Sequence, residues 1–188
     1  MPRFGATTFP TDYGLSVVDL ARAVEERGLD SIFFNEHTHI PVSRRTAFPG
    51  GGELPKECSH THDLFLALAA ATVVSKRIML STGICLVIER DPIVLAKEVA
   101  SLDRISDGRV ILGVGAEWNV AEMENHGTPY SSVGKSCVNG YSPCARSGPR
   151  TLLSFTASSS TLNCSGPGQS RSKSPVRRSF LDRGATML

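Results

Sequence analysis

The first 130 residues predict an α/β fold. Three observations carry that reading. Four apolar runs of strand length recur along this part of the chain. A helix-like segment follows each of them. The runs are near-continuous rather than alternating, as in strands covered on both faces, which is the habit of parallel sheets.

The elements follow in order. "RFGATTF" (Arg3 to Phe9) predicts the first strand. Ser16 suits a helix N-cap, and "VVDLARAVEERG" places Val17, Leu20, Ala21 and Val24 on one face before Gly28 stops the helix. "DSIFF" (Asp30 to Phe34) predicts the second strand, with a long polar loop after it. Asp63 opens a second helix, "DLFLALAAATVVS", and "RIMLSTGICLV" predicts a third strand. "DPIVLAKEVASLDRIS" has Asp91 for the N-cap and Pro92 for the first turn. Its expected buried face is Ile93, Ala96, Val99, Ala100 and Leu102. Asp107-Gly108 ends it, "RVILGVG" predicts the fourth strand, and "NVAEMENHG" starts a short helix. A doubly wound sheet and a barrel both accommodate four such units.

After Tyr130 the pattern stops. Fourteen serines fall in the last 58 residues against eight in the first 130. The charge changes as well: residues 131–188 carry eight Lys+Arg and one Asp+Glu, and residues 1–130 carry 12 and 17. The expected organisation is a domain over 1–130 and an irregular, Ser/Arg/Pro/Gly-rich tail over 131–188. The tail's basic residues are scattered, with only Tyr141, Phe155 and Phe180 able to stack on bases, so nucleic acid is not an expected partner. No apolar stretch reaches the ~20 residues of a spanning helix, so no membrane association is expected. The five cysteines show no pairing pattern, which suits reduced thiols and a cytoplasmic setting.

Gly113-Val114-Gly115 resembles a phosphate loop, but a dinucleotide fingerprint needs a third glycine where Trp118 stands. Close backbone approach to some ligand at the C-terminal edge of the sheet is the better use of these glycines. "NEHTHIP" reaches the same edge after the second strand, and there Glu36 and His37 are the candidate acid/base pair. His37/His39 and His60/His62 form two H-x-H pairs, so a metal-dependent hydrolase is the alternative, although no later carboxylate–histidine set completes its site. Thr82-Gly83 ends the third strand with freedom for unusual backbone. Asp103, Arg104 and Arg109 read as ion pairs bracing a helix end against the fourth strand.

"FFNEHTHIPVSRRT", "PGGGELP", "STGICLVIERDPIVLAKEVASLDRISDGRVILGVG" and "EWNVAEMENHG" together resemble the luciferase-like monooxygenase family, most closely its F-420-dependent actinobacterial branch. The resemblance implies the N-terminal half of a (β/α)8 TIM barrel, with coenzyme F-420 (alternatively FMN) at the C-terminal ends of the strands. It implies an oxidoreductase that transfers a hydride to or from a small organic substrate, or uses reduced flavin with oxygen. It further implies a non-prolyl cis peptide at Thr82-Gly83 backing the cofactor ring, proton transfer by His37, a cofactor contact from Asn119, and backbone approach at Gly115. Glu117 stands where the family usually has glycine, and a carboxylate beside an anionic cofactor weakens its binding. A full barrel needs ~250 residues, so the expectation for 188 is a half barrel of weak or absent activity. Such a half barrel has open edges at its first and fourth strands that another copy could pair with. The abrupt change near Ser131 reads as a shifted reading frame.

Overall fold

The structure, a computed structural model, describes residues 2–43, 45–116, 118–129 and 131, together with the backbone of two short strands at 153–155 and 185–187. The elements run β1 (Arg3–Thr8), α1 (Val17–Glu26), β2 (Ser31–Phe34), α2 (Leu64–Val74), β3 (Met79–Thr82), β4 (Cys85–Leu86), α3 (Pro92–Ile105), β5 (Val110–Gly115), α4 (Val120–Asn125), β6 (Leu153–Phe155) and β7 (Ala185–Met187). Every pairing between strands is parallel. β2 lies between β1 and β3, β3 lies beside β5, and the helices are the crossovers. This is the strand–helix succession of half a (β/α)8 barrel.

Local chemistry starts the helices where the sequence expects. The Ser16 hydroxyl accepts from the Asp19 N–H at 3.1 Å, and the Asp63 carboxylate accepts from Leu66 N–H at 2.9 Å. Asp91 accepts from both Ile93 and Val94 N–H at 2.9 Å, satisfying two of the four orphan donors of α3. Asp107 and Gly108 both take positive φ, at 58° and 76°, which stops α3 and turns the chain into β5.

The two faces of the sheet bury different sets. Ile32, Phe34, Leu80, Val110, Leu112 and Val114 point toward the helices and meet Ala21, Leu64, Leu68, Leu95, Val99 and Leu102. Phe33 and Ile111, with Met79, form a smaller cluster on the opposite face. The period of two along each strand makes that division.

Two expectations need correction. The buried stripe of α3 is Leu95, Val99, Leu102 and Asp103, whereas Ile93 is 81% exposed and Ala100 is exposed. The Asp91 cap starts the helix so that Ile93 and Val94 fall on the outside of its first turn. Arg109 does brace the base of the sheet, but through carbonyls. It donates to Ser106 O at 2.8 Å, Ile78 O at 2.9 Å and Ser75 O at 3.1 Å, and to the Ser75 hydroxyl at 3.1 Å. β6 pairs with β5 and β7 with β1, so both edges of the half barrel carry a three-residue partner. The frame-shift reading of the tail otherwise lies outside the described residues.

Candidate functional site at the C-terminal edge of the sheet

The third strand of the sequence reading is two strands joined by a bulge. β3 pairs Ser81 with Ile111 on β5, and β4 pairs Cys85 with Val114. Four steps on one side therefore oppose three on the other, so one extra residue is absorbed between Thr82 and Cys85. Thr82 is buried and clasps the partner strand: its hydroxyl donates to Gly113 O at 2.6 Å and accepts from Gly113 N–H at 2.8 Å. A Cβ on Gly113 would lie 2.4 Å from Thr82 O, so this glycine is required by strand approach rather than by a ligand. One on Gly83 would lie 3.0 Å from the Phe33 Cβ. The cis peptide is Gly83–Ile84, one bond later than expected. The Thr82–Gly83 link is still engaged in the ladder, with Gly83 N–H donating to Phe34 O at 2.7 Å.

At the end of β2 the adjacent residues Glu36 and His37 part company. Glu36 is buried and accepts from Leu86 N–H at 2.7 Å and from Arg90 Nη2 at 2.5 Å. Arg90 also reaches Asp63 and Glu98, each at 3.6 Å. Burial works against the charged guanidinium, yet the Glu36 hydrogen bond and the surrounding carboxylates raise its pKa further above the ordinary arginine range. Glu36 thus ties β2 to β4.

His37 turns to the other side. Its Nδ1 lies 3.0 Å from Glu122 Oε2, with side-chain exposures of 5% and 0%. Its ring lies parallel to Phe9 at 6.1 Å and edge-on to Trp118 at 5.8 Å. Glu122 sits in the first turn of α4. Its other oxygen accepts from Thr38 N–H at 2.8 Å, the Thr38 hydroxyl at 3.2 Å and His39 N–H at 3.3 Å. Burial pushes the carboxyl up, but His37 and these N–H donors outweigh it and hold the pKa below the ordinary glutamate value. Glu122 is therefore an acceptor at neutral pH, and the shared proton sits on His37 Nδ1.

Asn119 is fully buried at the N-cap of α4, and its Nδ2 approaches Glu122 Oε2 at 3.5 Å. Gly115 ends β5 opposite Leu86, whose N–H binds Glu36. The edge thus gathers His37, Asn119 and Glu122 in one cluster and ties Glu36, Thr82 and Gly115 into the adjoining bulge. Glu117 lies outside the described residues.

The two H-x-H pairs do not converge on one point. His60 Nδ1 pairs with Asp12 at 3.0 Å, and His39 Nε2 meets Asn125 Nδ2 at 2.8 Å. Among the described residues no three His, Cys, Asp or Glu side chains gather to hold a metal ion. No described helix is long and apolar enough to cross a membrane.

Glu122 was missed by sequence reading. Its signal was position: a carboxylate three residues past Asn119, in the first turn of the helix that follows the glycine turn.

The luciferase-like monooxygenase family profile matches residues 7–135. An uncharacterized protein of Mycobacterium tuberculosis is 43% identical over 129 residues, covering 67% of this chain and 46% of that protein. An F-420-dependent glucose-6-phosphate dehydrogenase of Nakamurella multipartita is 31% identical over 64% of this chain and 32% of its own length. The chain therefore spans less than half the length of these relatives. Among solved structures, a monooxygenase from Streptomyces bottropensis superposes with a TM-score of 0.55 at 25% identity, over 70% of this chain and 38% of that one. The oxygenating constituent of 3,6-diketocamphane monooxygenase from Pseudomonas putida, in complex with FMN, gives 0.54 at 22%, over 70% and 34%. On the profile match to two thirds of its length, the chain belongs to the luciferase-like monooxygenase family.

Proposed function

We propose that residues 1–130 form the ring-binding half of a flavin- or deazaflavin-dependent oxidoreductase site, with His37 as its proton-transfer residue. The observation that carries this is the buried His37–Glu122 pair at the C-terminal edge of a parallel sheet, where barrel enzymes keep their chemistry. An ionised, buried carboxylate fixes the histidine tautomer, so Nε2 is the nitrogen that takes or gives a proton. Glu122 orients His37 much as a carboxylate orients the base in other acid–base sites.

The donor set fits a flavin-like ring. Asn119 brings a buried amide beside the histidine, and the Gly83 bulge and Gly115 bring backbone without side chains to the same edge. Coenzyme F-420 is the favoured group and FMN the alternative, on the strength of the F-420-dependent relative and the FMN-bound structural neighbour. When bound, such a ring accepts or donates a hydride. The chain's own part is to hold the ring, exclude water with Phe9 and Trp118, and manage the proton at His37. Glu36, engaged by Arg90 and Leu86, is a positioning residue here rather than a proton carrier. Substrates would be small molecules whose oxidation releases a proton, such as alcohols.

The test is hydride transfer by the purified full chain with oxidised F-420 and a panel of small alcohols, for wild type and His37→Asn. Loss of turnover with cofactor binding retained is expected of the variant. Unchanged turnover in His37→Asn would remove His37 from the chemistry. Stoichiometric zinc in tag-free protein, with hydrolytic activity, would replace the reading by the metal-dependent hydrolase.

A further inference from the structure

His37 is buried, so a proton taken there needs a way out. Hydrogen bonds continue past Glu122. Thr38 Oγ1 lies 3.2 Å from Glu122 Oε1 and 2.8 Å from His126 Nε2. The His126 side chain is 30% exposed. Four groups on two segments of the chain thus form one line from the interior to solvent, with steps of 3.0, 3.2 and 2.8 Å.

We propose that Thr38 and His126 complete a proton relay that connects the His37–Glu122 pair to solvent. The proposal rests on the reading of His37 given above. In the outward direction His37 takes a proton at Nε2 and releases the one on Nδ1 to Glu122 Oε2. The carboxyl turns about its Cγ–Cδ bond and presents that proton to Thr38 Oγ1. The threonine hydroxyl accepts it and passes its own hydrogen to His126 Nε2. His126 then loses its Nδ1 proton to water, and every group regains its starting charge. Inward transfer reverses each step.

The surroundings of His126 suit a group that accepts a proton and does not keep it. Glu89 Oε2 lies 3.7 Å from its Nε2 and, at 2.8 Å from Thr38 Oγ1, is an alternative acceptor for the single hydroxyl hydrogen. The His39 ring, from the loop after β2, stands 5.4 Å away, and Glu122 of α4, Glu36 of the same loop and Arg90 ahead of α3 act at longer range. Burial first, then His39, lowers the His126 pKa below the ordinary histidine value. It therefore rests neutral at pH 7.

The test is the exchange rate of the His37 Nδ1–H with water, followed by NMR on histidine-labelled full chain. Thr38→Val and His126→Gln each slow exchange by about a hundredfold, the lower end of what a positioned acid or base contributes. Thr38→Ser, which restores the hydroxyl, restores the rate. A signal too fast to see in wild type that emerges in either variant supports the relay equally. Equal rates in wild type, Thr38→Val and His126→Gln overturn it, as does a signal too fast to see in all three. A His37 ring that shows no Nδ1–H and ignores Glu122→Gln overturns the His37–Glu122 reading itself, and the relay with it.

Discussion

The two ends of the sheet are built on opposite plans. At the base, Arg109 gathers the carbonyls of Ile78, Ser75 and Ser106, so a cation is satisfied by backbone. At the C-terminal edge, Glu36 and Glu122 are buried with partners drawn from distant parts of the chain, His37 and Glu122 being 85 residues apart. The base stitches the C-terminal ends of α2 and α3 and the start of β3 to the start of β5. The upper edge concentrates buried carboxylates paired with side chains from elsewhere in the chain. Side-chain ionisation is thus concentrated at one end of the strands and backbone stitching at the other.

Removing Glu122 should strain this contrast most. Glu122→Ala strips the buried partner from His37 and from the Thr38 and His39 N–H groups, and a loss of about 3–5 kcal/mol in urea unfolding is expected for breaking a buried pair from one side. Glu122→Gln keeps the shape, so it should cost less while still altering the His37 ring signals. At the base, Arg109→Ala should cost about 2–3 kcal/mol, since hydrogen bonds from a charged donor are the stronger kind. It should leave the His37 signals in place. A shift of His37 in that variant would mean that the two ends are not independent.

Acid should act on the upper edge. Glu122 has a folded pKa below its ordinary 4.5, so its contribution is present above that value and is lost as pH falls through the folded one. His126, lowered from 6.5, adds a milder loss as pH falls below 6.5, because the unfolded state then binds the proton more readily. A stability–pH curve should therefore decline in two stages, the upper of which disappears in His126→Gln. Arg109→Ala should retain both stages.

The smallest effect belongs to the surface. Asp19 and Arg22 on α1 are 3.7 Å apart and more than half exposed. Arg22→Ala should change stability by less than about 0.5 kcal/mol.

Much of this fold was legible because its signals are local. Ser16, Asp63 and Asp91-Pro92 declare helix starts within three residues of the groups they cap. The bulge at Gly83 was not legible in full, because an extra residue is defined only by the partner strand. The face of α3 was misjudged at Ile93, since apolar spacing alone does not say which turn meets the sheet. His37 was visible as an acid/base candidate at a strand end. The partner of its neighbour Glu36 was not visible, because Arg90 lies 54 residues on. Glu122 remained hidden for the same reason.

The most direct test of the account is a fluorescence titration of oxidised F-420, and in parallel FMN, with the full chain and with Asn119→Ala. The Asn119 side chain makes no capping hydrogen bond to α4, so its removal should spare the helix. Wild type should bind one of the two saturably, and the variant about tenfold more weakly, the equivalent of one lost hydrogen bond at about 1.4 kcal/mol. Equal affinity in wild type and variant, or no saturable response to either molecule, would contradict it.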